Sequence, residues 1–190
     1  MRAVFSLILL GFLFLSSPAL AALAIDSQES GGTAHNSTTS PLSWSFTNTA
    51  GTLLVVGVVI TGNGTPTISG VTWNGTSMNP VSGASGTWCT VGGANTSGVY
   101  FYYLEGATTG AHTISVTFSY AGSPLDALGA AISFTGENSG GPVANGAFNT
   151  QNATLCSAYS TSASVTVNST TSGDYVLEVG GAGSSWSGAT

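Results

Sequence analysis

The chain has 190 residues, of which 42% are hydrophobic and 9% aromatic, and one Lys or Arg stands against seven Asp and Glu. Nucleic acids and anionic membranes bind proteins chiefly through Lys and Arg, and disordered chains contain few aromatic residues. The single cation is Arg2, so the composition excludes nucleic-acid binding and disorder, and it predicts a folded protein whose surface carries few charged groups, with a formal net charge of -6 for the whole chain.

The first residues have the pattern of a secretory signal. Arg2 precedes an apolar run over residues 3–15, and the small-residue site ALA follows at 19–21. A positive start, an apolar middle and an A-x-A site are typical of signal peptides, and the run is shorter than the ~20 apolar residues of a membrane span. We therefore predict a signal peptide over residues 1–21, a secreted or surface-exposed chain, and no transmembrane segment after cleavage.

Residues 22–40 are rich in Ser, Thr and Gly and are predicted to form a flexible segment ahead of the folded domain, in which residues 27–40 either cover a sheet edge or stay loose. Within that domain, residues 112–120 and 42–46 alternate apolar side chains with Ser and Thr. A period of two residues is typical of a strand with one buried face and one solvated face. Both segments are therefore predicted to be half-buried antiparallel strands.

Other segments are apolar at consecutive positions, which predicts central strands buried on both faces: LLVVGVVI at 53–60, VYFYYL at 99–104 and ALGAAISF at 127–134. Gly57 interrupts the first of them and indicates a bulge or a close backbone contact. The dipeptide Asn74-Gly75 is typical of a tight hairpin turn. Further strands are predicted at 67–73, 77–81, 86–91 and 175–179. Many short strands and no helical period predict a single all-β domain over residues 41–190, an antiparallel β-sandwich of jelly-roll type.

The two cysteines, Cys89 and Cys156, predict a disulfide, because an even number of cysteines in an oxidising compartment usually pairs. Two separate buried thiols are the alternative. The printed sequence stops shortly after the strand predicted at 175–179, and we expect the sandwich to continue beyond residue 190.

Seven segments together carry a resemblance to a known family: LSWSF at 42–46, TLLVVGVVI at 52–60, PTISGVTWNGTSM at 66–78, VYFYYL at 99–104, GAHTISVTFS at 110–119, ALGAAISFTG at 127–136 and GDYVLEV at 173–179. Their order resembles that of exported bacterial and environmental β-sandwich proteins of unassigned activity. The resemblance implies a jelly-roll-like, lectin-like fold at a cell surface or in the medium, and it implies no catalytic motif.

Residues suited to catalysis are few. A serine hydrolase needs a nucleophile with a base, but the chain has no G-x-S-x-G motif, and His35 and His112 are its only histidines. Glycoside hydrolysis needs two nearby carboxylates, for which Glu105 and Glu137 are a conceivable pair, yet no Lys or Arg follows Arg2 to position a substrate. We therefore predict that the chain is not an enzyme.

Metal binding has equally little support in the sequence. Zinc needs three or four converging ligands, and two isolated histidines with two cysteines predicted to pair do not supply them. Calcium binds oxygen ligands, so Asp26, Asp126 and Asp174 are weak candidates, but no calcium-loop motif accompanies them. The predicted cofactor is none, with calcium as the alternative.

Sugar binding needs aromatic faces and neutral hydrogen-bonding groups rather than cations. Trp88, Tyr102, Tyr159 and Trp186 are the candidate stacking residues, with burial in the core as the alternative for each. The sequence thus predicts a structural or adhesive module that associates with itself. A carbohydrate-binding module whose partner is a polysaccharide is the alternative, and a glycan-active enzyme is less favoured.

Overall fold

The computed structural model describes residues 22–29, 35–63, 67–83, 86–91, 95–119, 125–136, 175 and 177. Strands account for most of these residues, and no helix occurs among them. The strands are β1 (Ala24–Gln28), β2 (His35–Ser37), β3 (Leu42–Asn48), β4 (Leu53–Asn63), β5 (Thr67–Trp73), β6 (Thr76–Ser77), β7 (Asn79–Pro80), β8 (Gly86–Val91), β9 (Asn95–Glu105), β10 (Gly110–Ser119) and β11 (Leu125–Thr135).

The strands form two antiparallel sheets that pack face to face. The larger sheet has the order β1-β11-β4-β9-β7, with β2 also paired to β11 and β8 to β9, and the smaller sheet has the order β3-β10-β5-β6. When β2, β7 and β8 are set aside, β1-β11-β4-β9 faces β3-β10-β5-β6, which is the strand order of a jelly roll. The predicted all-β antiparallel sandwich of jelly-roll type is confirmed.

The main core lies between the sheets and follows the predicted alternation. In β3 every second residue from Leu42 is buried, and in β10 Ile114, Val116 and Phe118 are buried between exposed or half-buried neighbours. These side chains meet alternate residues of β4, among them Val56, which belong to the same apolar cluster. Burying this cluster is the main stabilisation available to a chain with so few charges.

The two sheets fit together because β11 presents small residues where β3 presents large ones. Ala127, Gly129 and Ala131 alternate along the inner face of β11. Trp44 lies over Gly129 so closely that a Cβ atom there would stand 2.6 Å from the Trp44 Cη2 atom. Glycine is therefore required at position 129 by the approach of the indole ring, since carbon atoms in contact normally lie ~3.5–4.0 Å apart.

Strand β4 is central and buried on both faces, as predicted. Its alternate residues Leu53 and Val55 form a second cluster with Phe134 on the outer face of the larger sheet, against which Leu177 packs. Gly57 pairs with its neighbours in β9 and β11 in unbroken register, so the bulge that this glycine suggested does not occur.

The segment over residues 22–40, predicted to be flexible, contains two strands that cover the edge of β11. β1 pairs with one part of β11 and β2 with another. Between the parts of β11 that pair with β1 and β2, the backbone N–H of Ala131 donates a hydrogen bond of 2.7 Å to the Glu29 carboxylate. The carboxylate takes the place of the carbonyl oxygen that a paired strand would offer to this N–H. Of the two alternatives that the sequence left open for residues 27–40, the described residues support the covering of a sheet edge, and the pairing is supplied by a distant strand.

Two further predictions concern single segments. The hairpin at Asn74-Gly75 is confirmed, with φ of 48° and 79° at its two residues. Of the strand predicted at 175–179, only Tyr175 and Leu177 are described, and neither is in a strand. Tyr175 instead stacks on Phe134 with ring centroids 5.3 Å apart.

Candidate functional site

The outer face of the smaller sheet carries Ser and Thr on three adjacent strands. We call this set the hydroxyl face: Ser43, Ser45 and Thr47 from β3, Thr113, Ser115, Thr117 and Ser119 from β10, and Thr67, Ser69 and Thr72 from β5. All of these residues are exposed or half-buried, and Gly70 and Ala111 fill other outward positions. The outward positions of these three strands, all of which are described, hold no charged and no aromatic side chain.

Strand register arranges these hydroxyls in rows. Ser43 lies opposite Ser115, which in turn lies opposite Thr72, and Ser119 lies opposite Thr67. Neighbouring strands are ~4.8 Å apart, and side chains on one face of a strand repeat every ~6.7 Å. The hydroxyl face is therefore a two-dimensional array of small polar groups on a twisted sheet.

Part of the array is ordered by its own hydrogen bonds. The Ser43 hydroxyl donates to the Ser115 hydroxyl at 3.1 Å, and the hydroxyls of Thr67 and Ser119 share a hydrogen bond of 2.8 Å. A hydroxyl can donate one hydrogen bond and accept two, so these groups keep hydrogen-bonding capacity toward solvent or a partner. The array suits neutral polar partners, since it offers no charge with which to attract or repel an ion.

A polar junction at the end of the sandwich involves Asp26. Its carboxylate accepts hydrogen bonds from the backbone N–H groups of Thr49 and Ala50, both at 3.0 Å, and from the Ser133 hydroxyl at 2.9 Å. Burial acts to raise the pKa of Asp26, but the hydrogen bonds from Ala50, Ser133 and Ser27 outweigh it, and the pKa lies below the ordinary value of 3.8. These donors make Asp26 a structural acceptor that joins β1 to the β3–β4 turn, and its calcium role stays a prediction.

A second polar residue of this junction, Asn48, is fully buried. Its Nδ2 group donates to the carbonyl oxygens of Gly51 at 2.8 Å, Thr108 at 3.0 Å and Ala107 at 3.3 Å. Its Oδ1 atom has no hydrogen-bond partner among the described residues. Asn48 therefore joins the β3–β4 turn to the β9–β10 loop, which is a structural role.

The predicted sugar-stacking residues do not assemble into an exposed platform in the part of the chain that is described. Tyr102 lies opposite Val56 of β4, on the inward face, where it packs against the main core. Burial raises the pKa of Tyr102, with a further contribution from Tyr100. Tyr102 is half-buried against the core, which favours the alternative of core burial, and its stacking role stays a prediction.

Several predicted residues lie outside what the structure describes. Tyr159 and Trp186 are outside the described residues, as is Cys156. Trp88 and Cys89 belong to β8, but only their backbone is described. The stacking roles and the disulfide stay predictions.

The candidate catalytic residues are described only in part. Glu105 is exposed at the end of β9, and Glu137 lies outside the described residues. The His112 ring packs edge-on against Trp73 with centroids 5.2 Å apart, and its Nε2 atom lies 3.0 Å from the Thr109 carbonyl oxygen. Only the backbone of His35 is described, within β2. His112 thus has the role of a packed residue near a strand end.

Of the remaining calcium candidates, Asp126 alone lies among the described residues. Asp126 is exposed near the start of β11, and Asp174 lies outside the described residues. No group of three or more His, Cys, Asp or Glu residues suited to a metal ion occurs in the described ranges. In the same ranges, no helix has the length and hydrophobicity needed to cross a membrane.

The hydroxyl face itself was not predicted as a site. The sequence shows the Ser and Thr residues of each strand, but the face exists only because β10 lies between β3 and β5, which are distant from it in the chain. We found no protein-family model, no curated protein and no solved structure that matches this chain.

Proposed function

We propose that the chain is an exported structural or adhesive β-sandwich module without catalytic activity, which contacts its surroundings through neutral surfaces. The observation that carries this proposal is the hydroxyl face, an exposed array of Ser and Thr with no charged side chain. Many weak hydrogen bonds spread over such an array favour broad contact with a neighbouring surface over tight capture of one small molecule.

The charge balance supports the same proposal. Charged surfaces of one sign keep proteins apart in solution, and this protection is weak where the exposed face is neutral. With no Lys or Arg after Arg2, the surface has no basic group to pair with an acidic partner. Neutral partners, including further copies of the chain, are those that fit.

The test compares adsorption of the secreted protein to films of neutral dextran, carboxymethyl-dextran and amino-dextran, measured with a quartz-crystal microbalance. Thr113→Ala combined with Thr117→Ala removes two hydroxyls from the centre of the hydroxyl face. Thr38→Ala combined with Thr109→Ala is the matched control, because these two exposed threonines lie outside that face. We expect the first pair to reduce adsorption to neutral dextran severalfold and the control to leave it unchanged.

Two outcomes would contradict the proposal. Equal adsorption by both double variants would show that the hydroxyl face is not the contact surface. A protein that is monomeric at high concentration and adsorbs to none of the films would have neither structural nor adhesive character.

Carbohydrate binding is the second candidate, because the same neutral donors and acceptors can bind glycan hydroxyls. Calorimetry across a panel of soluble glycans separates the two functions. Saturable binding of one glycan with a fixed stoichiometry would favour the carbohydrate-binding module. Glycan hydrolysis that disappears in Glu105→Gln would instead indicate an enzyme.

A further inference from the structure

Among the described strands, β3 forms one edge of the smaller sheet, and its ladder with β10 determines which backbone groups face outward. The Thr113 carbonyl accepts a hydrogen bond from the Asn74 N–H, so the backbone groups of Thr113 point toward β5 and away from β3. Ser45 lies opposite Thr113. Ser45 and Thr113 therefore form a non-hydrogen-bonded pair. In an antiparallel ladder, the two residues of a non-hydrogen-bonded pair both direct their N–H and C=O groups away from each other. The N–H and C=O groups of Ser45, and by alternation those of Ser43 and Thr47, therefore point away from β10. They face outward from the edge of the sheet, in the direction in which a further strand would pair.

The other described edge strands have features that hinder pairing with a further strand. Register shifts leave an extra residue at Asp26 in β1, at Ser69 in β5 and at Cys89 in β8. The remaining strands at sheet edges, β2, β6 and β7, have only two or three residues. Bulges and short length are among the features by which proteins prevent pairing between sheet edges.

β3 has none of these features. It pairs with β10 over its 7 residues without a register shift, and it contains no charged residue and no proline. Ser43, Ser45 and Thr47 are all exposed. A long, regular, uncharged edge strand is the kind that accepts another strand.

We propose that two copies of this chain pair through β3, antiparallel and about a twofold axis at Ser45. This inference rests on the proposed structural function and identifies a second copy as the partner. The register sets Ser45 opposite Ser45 of the second copy, Ser43 opposite Thr47 and Trp44 opposite Phe46. This register pairs all 7 residues of β3. Hydroxyl side chains lie opposite hydroxyl side chains on the outer face. On the inner face the aromatic rings of Trp44 and Phe46 lie opposite each other, and Leu42 at the end of the strand lies opposite Asn48. The two hydroxyl faces then become one continuous surface.

Amide hydrogen exchange of the secreted wild-type protein, followed by NMR over a concentration series, tests this pairing. We expect the amides of Ser43, Ser45 and Thr47 to exchange quickly in dilute solution and at least about tenfold more slowly once the dimer forms. The amides of Trp44 and Phe46 point toward β10 and serve as internal controls, protected at every concentration.

A matched pair of variants provides the second test, by sedimentation velocity. In the proposed dimer, Ser45→Lys sets two like charges directly opposite each other, which we expect to weaken dimerisation about tenfold or more at low salt and less at 1 M NaCl. Thr113→Lys adds the same charge to the same face one strand further in. In the dimer, the two charges that Thr113→Lys introduces lie ~14 Å apart, which is beyond the screening length at physiological salt. We therefore expect the dissociation constant of the dimer to change by less than about twofold.

The outcomes separate this inference from the proposed function. Self-association without protection of the Ser45 amide, or equal effects of the two lysine variants, would overturn pairing through β3 and leave the adhesive function intact. A protein that neither self-associates nor adsorbs to neutral films would contradict both.

Discussion

Replacing Gly129 with alanine tests the large-on-small packing between β3 and β11. The added Cβ would lie 2.6 Å from Trp44 Cη2, 2.9 Å from Trp44 Cζ3 and 3.2 Å from Leu42 Cδ2. Trp44 is only 6% exposed and Leu42 only 2%, so neither has room to withdraw. Overpacking a well-filled core costs about 1–3 kcal/mol, and contacts this short indicate the upper half of that range, about 2–3 kcal/mol. In a domain of this size the melting temperature should fall by about 4–12 °C.

Gly70→Ala is the matched control. Gly70 is also a strand residue, but a Cβ atom there would have no other atom within 4 Å. We expect its free energy of unfolding to change by about 0.5 kcal/mol or less. Urea and thermal unfolding followed by far-ultraviolet circular dichroism and tryptophan fluorescence would measure both variants. If Gly129→Ala is as stable as Gly70→Ala, the close packing of Trp44 on β11 is refuted.

A double-mutant cycle identifies the source of the strain. Trp44→Phe removes the distal ring atoms that would clash with the new Cβ. We therefore expect Gly129→Ala to cost at least about 1 kcal/mol less in the Trp44→Phe background than in the wild type. Equal costs in the two backgrounds would locate the strain elsewhere.

Three further predictions concern the polar contacts at the ends and edge of the sandwich. Asn48→Ala leaves buried carbonyls without their donor and should lower the free energy of unfolding by about 1–3 kcal/mol, as measured by urea denaturation. Because the pKa of Asp26 is lowered from 3.8 on folding, its contribution to stability is full at neutral pH and is lost as the pH falls below about 4. Asp26→Asn should therefore flatten the acid limb of the stability profile, and an unchanged limb would contradict this role. Glu29→Ala removes the acceptor for the Ala131 amide, whose hydrogen exchange should become faster while that of Val56 stays the same.

Local patterns were sufficient for the strands that alternate strictly. Thr113 and Ile114 fall on opposite faces of β10, as the period of two residues predicted, because one face of that strand meets the core and the other meets water. The same reasoning could not decide between stacking and core burial for Tyr102. The VYFYYL segment is apolar at every position, so its sequence does not reveal which residues point inward, and the register with β4 decides this.

The missed features depend on contacts between distant parts of the chain. The AIDSQ segment that forms β1 has no apolar period, and it becomes a strand because β11 offers it an edge and Asp26 binds the β3–β4 turn. The hydroxyl face was missed for a similar reason. Ser43 and Ser115 are 72 positions apart in the sequence, and only the order of strands within the sheet brings their hydroxyls together.

The cover that β1, Glu29 and β2 provide over β11 has a consequence for the size of any assembly. A protein with two open edges can add copies at both ends and grow into a fibre, whereas a protein with one open edge stops when that edge is filled. Among the described edge strands, β1 carries a bulge and β2 is short, whereas β3 is long and regular, so association through β3 would give a closed pair rather than a filament. Such a pair would hold the hydroxyl faces of its two copies side by side. Binding to an extended surface would then gain in avidity, although the assembly stays a dimer.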